Sequence, residues 1–299
     1  MSSKPPATHI QGSLHPRNSV HRKVSPRPPE TEPRPEGCGA KAPTPTLTTV
    51  LSTLLLLSFA VPAHPGNAAF DQAIASVQAG DDSAALGHFE HALLENPGSL
   101  RYASEYRQAV IRVQAYDRCI AFFEKLTAAN PNNANAWLNY GFAYVDKIPS
   151  AGSITQVILA NTAQGFFGRS IEAEKTWLGL YTRGNSQLFW PKVFGRAPLG
   201  VADLEQAYEI QSKSAKKLPV HVRVYTALGD GYWKTDQIEK AREIWREGLR
   251  EFPDNQALKD RLARDGEELE AYINDQLDPN KRVDTDLKPL WSADEEAKN

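Results

Sequence analysis

The sequence predicts an all-α solenoid, in which antiparallel helical hairpins stack one after another. One observation is that prolines end three segments of similar character, "ALLENPGS", "KLTAANPNN" and "GLREFPDN", at Pro97, Pro131 and Pro253. A second is that the first two of these prolines are 34 residues apart, and periods of about 20–50 residues are typical of repeat proteins. A third is the segment after Pro253, which has one apolar stripe and suits a final capping helix.

The chain begins with a proline-rich segment, residues 1–46. This segment holds ten of the 21 prolines of the 299-residue chain. Such a composition favours neither helix nor sheet, and it buries too little apolar surface to offset the entropy lost on ordering. We expect this leader to be disordered.

An apolar segment follows at residues 47–63, inside an uncharged stretch from Ala42 to Phe70. Its dense apolar part, Val50–Val61, is shorter than the roughly 18 residues that span a bilayer, and it suits the h-region of a signal peptide. Small residues after it offer cleavage that would start the mature chain near His64 or Ala69. We therefore expect export to the periplasm. A retained anchor that tethers the protein to the membrane facing the periplasm, and a cytosolic leader, are the alternatives.

The last hairpin carries the clearest repeat pattern. Its pattern residues are Tyr225, Leu228, Gly229, Tyr232, Ala241, Trp245, Gly248 and Pro253. Their spacing matches W-x2-L-G-x2-Y…A-x3-F…P, so the chain resembles the tetratricopeptide repeat (TPR) family. In such a repeat, small residues at the close-packing positions admit the large side chains of the adjoining helix.

The same spacing divides residues 66–275 into five repeats and a capping helix. The boundaries lie near 66–99, 100–133, 134–175, 176–219 and 222–255, with the cap over 256–275. Two repeats are irregular, because "DKIPSAGSITQVILAN" delays the second helix of the third and "SQLFWPKVFGRAPLG" separates the helices of the fourth. We treat residues 146–162 and 186–199 as insertions. Residues 278–299 are predicted to form a polar tail.

Several classes of function are not supported. A net charge of −2 gives no reason to expect a basic face for nucleic acid. No nucleophile elbow, zinc-protease motif, phosphate-binding glycine loop or Cys-x-x-Cys pair occurs, so we expect neither catalysis nor a cofactor. His88 and His91 lie three residues apart on one helix face, but no third ligand is near in sequence, and we expect no metal site.

The resemblance to TPR proteins implies a binding surface. In that family the first helices of successive repeats line a concave groove that takes an extended peptide or a partner helix. Carried over by position, the groove residues are Arg101, Ser104, Gln108, Arg112, Asn135, Leu138, Phe142, Asp146, Arg223, Thr226, Asp230 and Trp233. Arginine beside large apolar residues suits an apolar segment with an acidic flank. We expect a non-catalytic scaffold or adaptor of the cell envelope, whose partner is another protein or a peptide.

The second insertion leaves alternatives open. Its candidate contact residues are Trp190, Lys192, Phe194 and Arg196. Aromatic rings beside cations suit a membrane interface, whereas a loop that folds back would plug the gap between the third and fifth repeats, which we favour. The alternative function is a receptor for a small molecule or glycan, in a pocket that the insertions at 146–162 and 186–199 close.

Overall fold

The computed structural model describes residues 67–215, 217–279, 281 and 283–291. In this part of the chain the regular structure is entirely helical, and the predicted all-α solenoid of antiparallel hairpins is confirmed. Its α-helices are α1 (Ala68–Gln78), α2 (Asp82–Glu95), α3 (Leu100–Val113), α4 (Tyr116–Ala129), α5 (Ala134–Lys147), α6 (Ser153–Ala173), α7 (Trp177–Leu188), α8 (Ala197–Ser212), α9 (Val222–Lys234), α10 (Ile238–Glu251), α11 (Gln256–Leu262) and α12 (Gly266–Gln276). The predicted leader, the apolar segment at 47–63 and the end of the tail lie outside the described residues.

Helices α1 to α10 pair into five hairpins, which stack through contacts of α2 with α3, α4 with α5, α6 with α7 and α8 with α9. First helices also touch each other, α3 with α5 and α7 with α9. We call the surface lined by α3, α5, α7 and α9 the groove. No helix among the described residues combines the length and the apolar character needed to cross a bilayer.

Side-chain oxygens cap several of these helices. Ser99, Asn133 and Thr176 each accept a hydrogen bond from the backbone N–H three residues further on, at the starts of α3, α5 and α7. Asp81 caps α2 in the same way, at 2.9 Å from the Ala84 nitrogen. Each cap satisfies a backbone donor that the first turn of a helix leaves unpaired.

The residues of the repeat pattern lie where the sequence predicts, in the core. Those less than 2% exposed include Ala73, Ala85, Phe89, Ala92, Tyr106, Cys119, Phe123, Ala163, Phe167, Ser170, Tyr225, Leu228, Ala241 and Trp245. A Cβ atom at Gly141 would lie 2.4 Å from the Phe167 ring, and one at Gly229 would lie 2.0 Å from the Trp245 indole. Only glycine permits these two close approaches between the helices of a hairpin.

The two predicted insertions are shorter than expected. Helix α5 ends at Lys147 and helix α6 begins at Ser153 and runs on to Ala173. Most of the first predicted insertion, residues 146–162, is therefore helical. The irregular part is a 3-10 turn at Ile148–Ser150 that contains Pro149. In the fourth hairpin, only residues 189–196 separate α7 from α8, with a second 3-10 turn at Lys192–Phe194. Pro191 precedes that turn and Pro198 lies in the first turn of α8.

The predicted single capping helix is two helices, α11 and α12. The chain bends between them at Gly266, whose φ of 51° lies in the left-handed region that a continuous helix does not contain. Leu258 of α11 and Leu269 and Ile273 of α12 are buried against the last hairpin. The apolar stripe of the cap was therefore predicted, and its bend was not.

The predicted polar tail differs most from the structure. Residues 283–291 lie over α3 and α5, without helix or strand at 283–287 and with a 3-10 turn at Lys288–Leu290. Leu287 is only 5% exposed, and Leu290 and Trp291 are half-buried against the same cluster. The polar composition of the segment did not indicate that Leu287 and Leu290 pack on the helices. We call residues 283–291 the clasp.

Candidate functional site

Arg107 of α3 is at the centre of the groove, and its side chain is completely buried. Its Nε donates to Asn139 Oδ1 at 3.1 Å, and its Nη1 donates to Asp146 Oδ2 at 2.9 Å. Its Nη2 donates to the backbone oxygen of Thr285 in the clasp at 2.8 Å. A buried guanidinium needs such partners, because leaving it unpaired away from water is costly. Arg107 therefore joins α3, α5 and the clasp.

Further polar groups of the groove pair with the clasp. Ser104 Oγ accepts from the Leu287 backbone nitrogen at 3.0 Å and donates to Asp286 Oδ1 at 3.3 Å. The Thr285 hydroxyl donates to the Asp146 carboxylate. The groove thus binds one backbone N–H and one backbone C=O of the clasp, and main-chain hydrogen bonds of this kind give affinity where protein surfaces bind peptides.

An apolar pocket of the groove receives the side chain of Leu287. This leucine belongs to one buried cluster with Leu138 and Phe142 of α5. The Arg107 guanidinium lies over the Phe142 ring, 4.7 Å from its centroid, and the Phe167 ring meets the same ring edge-on at 5.5 Å. Burying a leucine side chain contributes about 1.5–3 kcal/mol, so Leu287 is the main apolar anchor of the clasp.

The carboxyl group of Glu105 lies next to the clasp, and its surroundings disfavour its ionised form. Burial raises the pKa of Glu105 above its usual range, and the nearby Asp286 carboxylate of the clasp raises it further. Arg101, Lys288 and Arg112 act in the opposite direction. The ionised form of Glu105 therefore opposes the seated clasp, and the protonated form does not.

Five of the residues predicted to line the groove contact the clasp or its pocket, namely Ser104, Leu138, Phe142, Asp146 and Arg223. Arg223 of α9 lies further along, with Nη2 3.9 Å from Asp284 Oδ2. Thr226 is also on α9, and its hydroxyl donates to the Arg223 backbone oxygen within that helix.

Three of the remaining predicted groove residues, Arg112, Arg101 and Asn135, contact neighbouring parts of the stack. Arg112 forms two hydrogen bonds with Asp82 of α2, at 2.8 and 2.7 Å, and Arg101 lies 5.5 Å from the Phe70 ring centroid. Asn135 donates to the Gly98 carbonyl at 2.9 Å, and Gln108 is half-buried.

Asp230 and Trp233 of α9 are also structural residues. Asp230 is only 3% exposed and accepts two hydrogen bonds from Arg261 of α11, at 2.6 and 2.7 Å. Trp233 packs against the apolar cluster that includes the cap. The prediction that these two side chains face a partner needs correction at Asp230, since α11 covers it.

The central residue of the site, Arg107, was missed. It follows Tyr106 directly and lies between Ala103 and Val110 on the buried, mostly apolar face of α3. A cation at that position is a signal, because an arginine there requires a buried acceptor. Asp146, one repeat later and already predicted to face the groove, is that acceptor.

A cavity of about 540 Å³ adjoins the groove, and both irregular segments and the clasp contribute to its walls. Its aromatic lining residues are Phe142, Phe167, Trp177, Tyr181, Phe189, Trp190 and Phe194. The pocket between the two predicted insertions therefore exists, with the clasp as an additional wall that the sequence did not indicate.

The four candidate contact residues of the second insertion have different environments. Trp190 is half-buried and lines the cavity, with the Phe194 ring edge-on at 5.7 Å and the Arg196 guanidinium 4.0 Å from its ring centroid. Phe194 is 58% exposed, and Lys192 pairs with Asp236 at 2.7 Å. Arg196 Nη2 also donates to Asn161 at 2.9 Å, which ties the second irregular segment to α6.

Other groups that often carry chemistry are held in structural roles. Burial raises the pKa of the Cys119 thiol well above its usual range, which disfavours the reactive thiolate. His91 lies 3.7 Å from Glu95 on the exposed face of α2. Across the described residues, no three His, Cys, Asp or Glu side chains are grouped to hold a metal ion.

No protein-family model matches the chain, and no curated protein matches it in sequence. Among solved structures, it is similar to TTC0263, a TPR protein of Thermus thermophilus, with 18% identity and a TM-score of 0.46 over 66% of this chain and 96% of that one. It is similar to YrrB, described as a TPR protein with an unusual peptide-binding site, with 15% identity and a TM-score of 0.44 over 66% and 91%. It is also similar to a TPR protein of Parabacteroides merdae, with 13% identity and a TM-score of 0.47 over 70% of this chain and 75% of that one.

The residues of the chain itself carry the assignment of its fold. Five stacked hairpins bury the small and aromatic residues of the repeat pattern. Gly141 and Gly229 make the close contacts that the pattern implies. The described residues therefore form an all-α solenoid of antiparallel helical hairpins with a cap, similar to TPR proteins.

Proposed function

We propose that this protein is a non-catalytic scaffold that binds an extended segment of a partner protein in the groove over α3 and α5. The observation that supports this function is the clasp itself. A segment without helix or strand, residues 283–287, lies across these helices, with its backbone bonded to Ser104 and Arg107 and one leucine in an apolar pocket. A surface that fits one such segment fits another of the same chemistry.

The clasp also indicates what the partner segment carries. A leucine fills the apolar pocket, an acidic residue precedes it next to the Ser104 hydroxyl, and a hydroxyl residue two positions before it reaches Asp146. This agrees with an apolar segment that has an acidic flank. In the isolated chain, the clasp competes with the partner for the groove.

The test is a binding titration with a labelled peptide of residues 283–291, "VDTDLKPLW". The full chain with Leu287→Ala has a weakened clasp, because the anchor side chain is truncated. We expect this variant to bind the peptide at least about tenfold more tightly than the unmodified chain, since about 1.4 kcal/mol of lost competition corresponds to a factor of ten. A peptide with alanine in place of its leucine should not bind.

The matched control is Val283→Ala, which truncates an exposed apolar side chain of the same segment. Its affinity for the peptide should equal that of the unmodified chain. If the Leu287→Ala chain releases its clasp, as followed by amide hydrogen exchange, and still fails to bind the peptide, the proposal is wrong.

We also propose that this scaffold acts in the cell envelope, after export directed by the segment at 47–63. Asn67 caps α1 by accepting from the Phe70 nitrogen at 3.0 Å, which favours cleavage before His64 over cleavage before Ala69, because the latter removes the cap. Sequencing the N-terminus of the protein isolated from envelope fractions should give a start near His64. A chain in that fraction that still begins at Met1 would contradict cleavage and leave a membrane tether.

A further inference from the structure

The cavity beside the groove is built by the parts of the chain that depart from the repeat pattern. The 3-10 turn at Ile148–Ser150 and the first turns of α6 form one wall, and residues 189–194 form another. Val283 and Leu290 of the clasp contribute to a third. Regular stacking of hairpins needs none of these segments, so packing of the repeats does not explain why they converge here.

The chemistry of the walls is that of a site for an apolar molecule. The volume of about 540 Å³ lies within the range of roughly 300–1,000 Å³ that is usual for small-molecule sites. Trp177 and Tyr181 stack on each other at 5.5 Å on one side, while Phe189 and Trp190 line another. Aromatic faces of this kind stabilise apolar and ring-bearing ligands.

Two side chains that line the cavity have polar groups available to a ligand. Among the described residues, no protein group forms a hydrogen bond with the Tyr181 hydroxyl or the Asn185 amide, and both side chains line the cavity. Burial raises the pKa of Tyr181, which keeps its hydroxyl as a neutral donor. These two groups are one turn apart on α7, so a single polar group of a ligand can reach both.

The charges around the cavity already have partners. Lys281 pairs with Asp275 at 2.6 Å, and Arg223 lies 3.9 Å from Asp284. Asp146 is held by Arg107, and the Asp286 carboxylate accepts from the Lys288 backbone nitrogen as well as from Ser104. This balance favours a neutral ligand over an ionised one.

Part of the rim of the cavity is apolar. Val157 of α6 and Phe194 both line the cavity, yet they are 53% and 58% exposed. They therefore lie at its opening to solvent. We propose that this cavity is a binding site for a neutral, largely apolar small molecule that carries at least one hydrogen-bonding group, and that the molecule enters between Val157 and Phe194.

The test uses the full chain and N-phenyl-1-naphthylamine, a neutral apolar fluorescent probe with one N–H group. We expect saturable binding of one probe molecule per chain. Ala160→Phe places a ring inside the cavity and should weaken probe binding at least about tenfold, because it fills the space the probe occupies. Thr155→Phe adds the same ring on the exposed face of α6, outside the cavity, and should leave binding unchanged.

A second pair of variants avoids any change to packing. Val157→Lys puts a charge on the rim and should weaken probe binding severalfold. Ile158→Lys is its control, because Ile158 is the neighbouring residue, is 59% exposed and does not line the cavity. Equal losses from both lysine variants would assign the probe to the exposed apolar surface and overturn the proposal. Undiminished binding to the Val157→Lys and Ala160→Phe chains would do the same.

Discussion

Two buried arginine–aspartate pairs in the solenoid resemble each other in chemistry and differ in what they hold. The pair of Arg107 with Asp146 lies in the groove, and the pair of Arg261 with Asp230 lies at the cap. All four side chains are at most 5% exposed. Arg261 gives two hydrogen bonds to one carboxylate, while Arg107 gives one and uses another donor for a backbone carbonyl of the clasp.

Under the proposed function, this difference indicates which end of the groove would open to a partner. Arg261 and Asp230 are 31 residues apart and join neighbouring elements of the stack, so the fold itself covers Asp230. Arg107 and Thr285 are 178 residues apart, and the bond between them uses a backbone oxygen that any peptide possesses. The pair of Arg261 with Asp230 is thus part of the stack itself, and under the proposed function the pair of Arg107 with Asp146 holds a segment that a partner chain would replace.

The largest effect should come from breaking the cap pair. Arg261→Met leaves the Asp230 carboxylate buried without its partner, which costs about 3–5 kcal/mol in the free energy of unfolding. Urea denaturation measures this loss. As a control, Arg264→Gln removes a partly exposed cation that pairs with Asp260 at 3.3 Å, and its cost should stay below about 1 kcal/mol. Similar losses for the two variants would show that the buried pair is not what secures α11.

Arg107→Met should have a smaller effect, although Arg107 is the more buried arginine. When the clasp leaves, water reaches Asp146. The expected loss in the free energy of unfolding is therefore roughly 2 kcal/mol, below the roughly 3–5 kcal/mol expected for a pair that stays buried. The amide protons of residues 283–291 should exchange rapidly in this variant and remain protected in Arg261→Met. A clasp that stays protected after Arg107→Met would contradict the idea of a replaceable segment.

The smallest effect should come from Glu105, which adjusts the clasp by charge alone. Because burial and Asp286 raise the pKa of Glu105 in the folded chain, its contribution to the seated clasp is present at low pH and is lost as the pH rises through that raised pKa. Glu105→Gln should therefore increase protection of the Leu287 amide at neutral pH and flatten its pH dependence. Hydrogen exchange measured across the acidic range tests this, with Glu124→Gln on the exposed face of α4 as the control.

The regular part of this architecture is predictable because its determinants are local. Gly141 and Gly229, with the aromatic residues that pack on them, repeat at spacings that a single hairpin explains. The capping Asp81 and the apolar stripe of the cap are local for the same reason.

The site is less predictable because it depends on distant pairings. Nothing near Arg107 in sequence shows that its acceptors lie on α5 and in the clasp, and Leu287 is one leucine in a polar stretch. Asp230 occupies a groove position by repeat counting, but the bend at Gly266 and the position of α11 decide that a neighbouring arginine covers it. Repeat position indicates which helix face a residue occupies, and the segments that return over that face decide whether it is free.

The clasp has a consequence for how this chain unfolds. A solenoid whose hairpins touch only their neighbours can lose repeats one by one from either end, because its contacts are close in sequence. Here Thr285 and Leu287 bind helices of the second and third hairpins, which closes a ring through the remaining repeats. Fraying of the C-terminal repeats then requires the ring to open first, so the array should behave as one cooperative unit, and a partner that displaces the clasp would return it to piecewise unfolding.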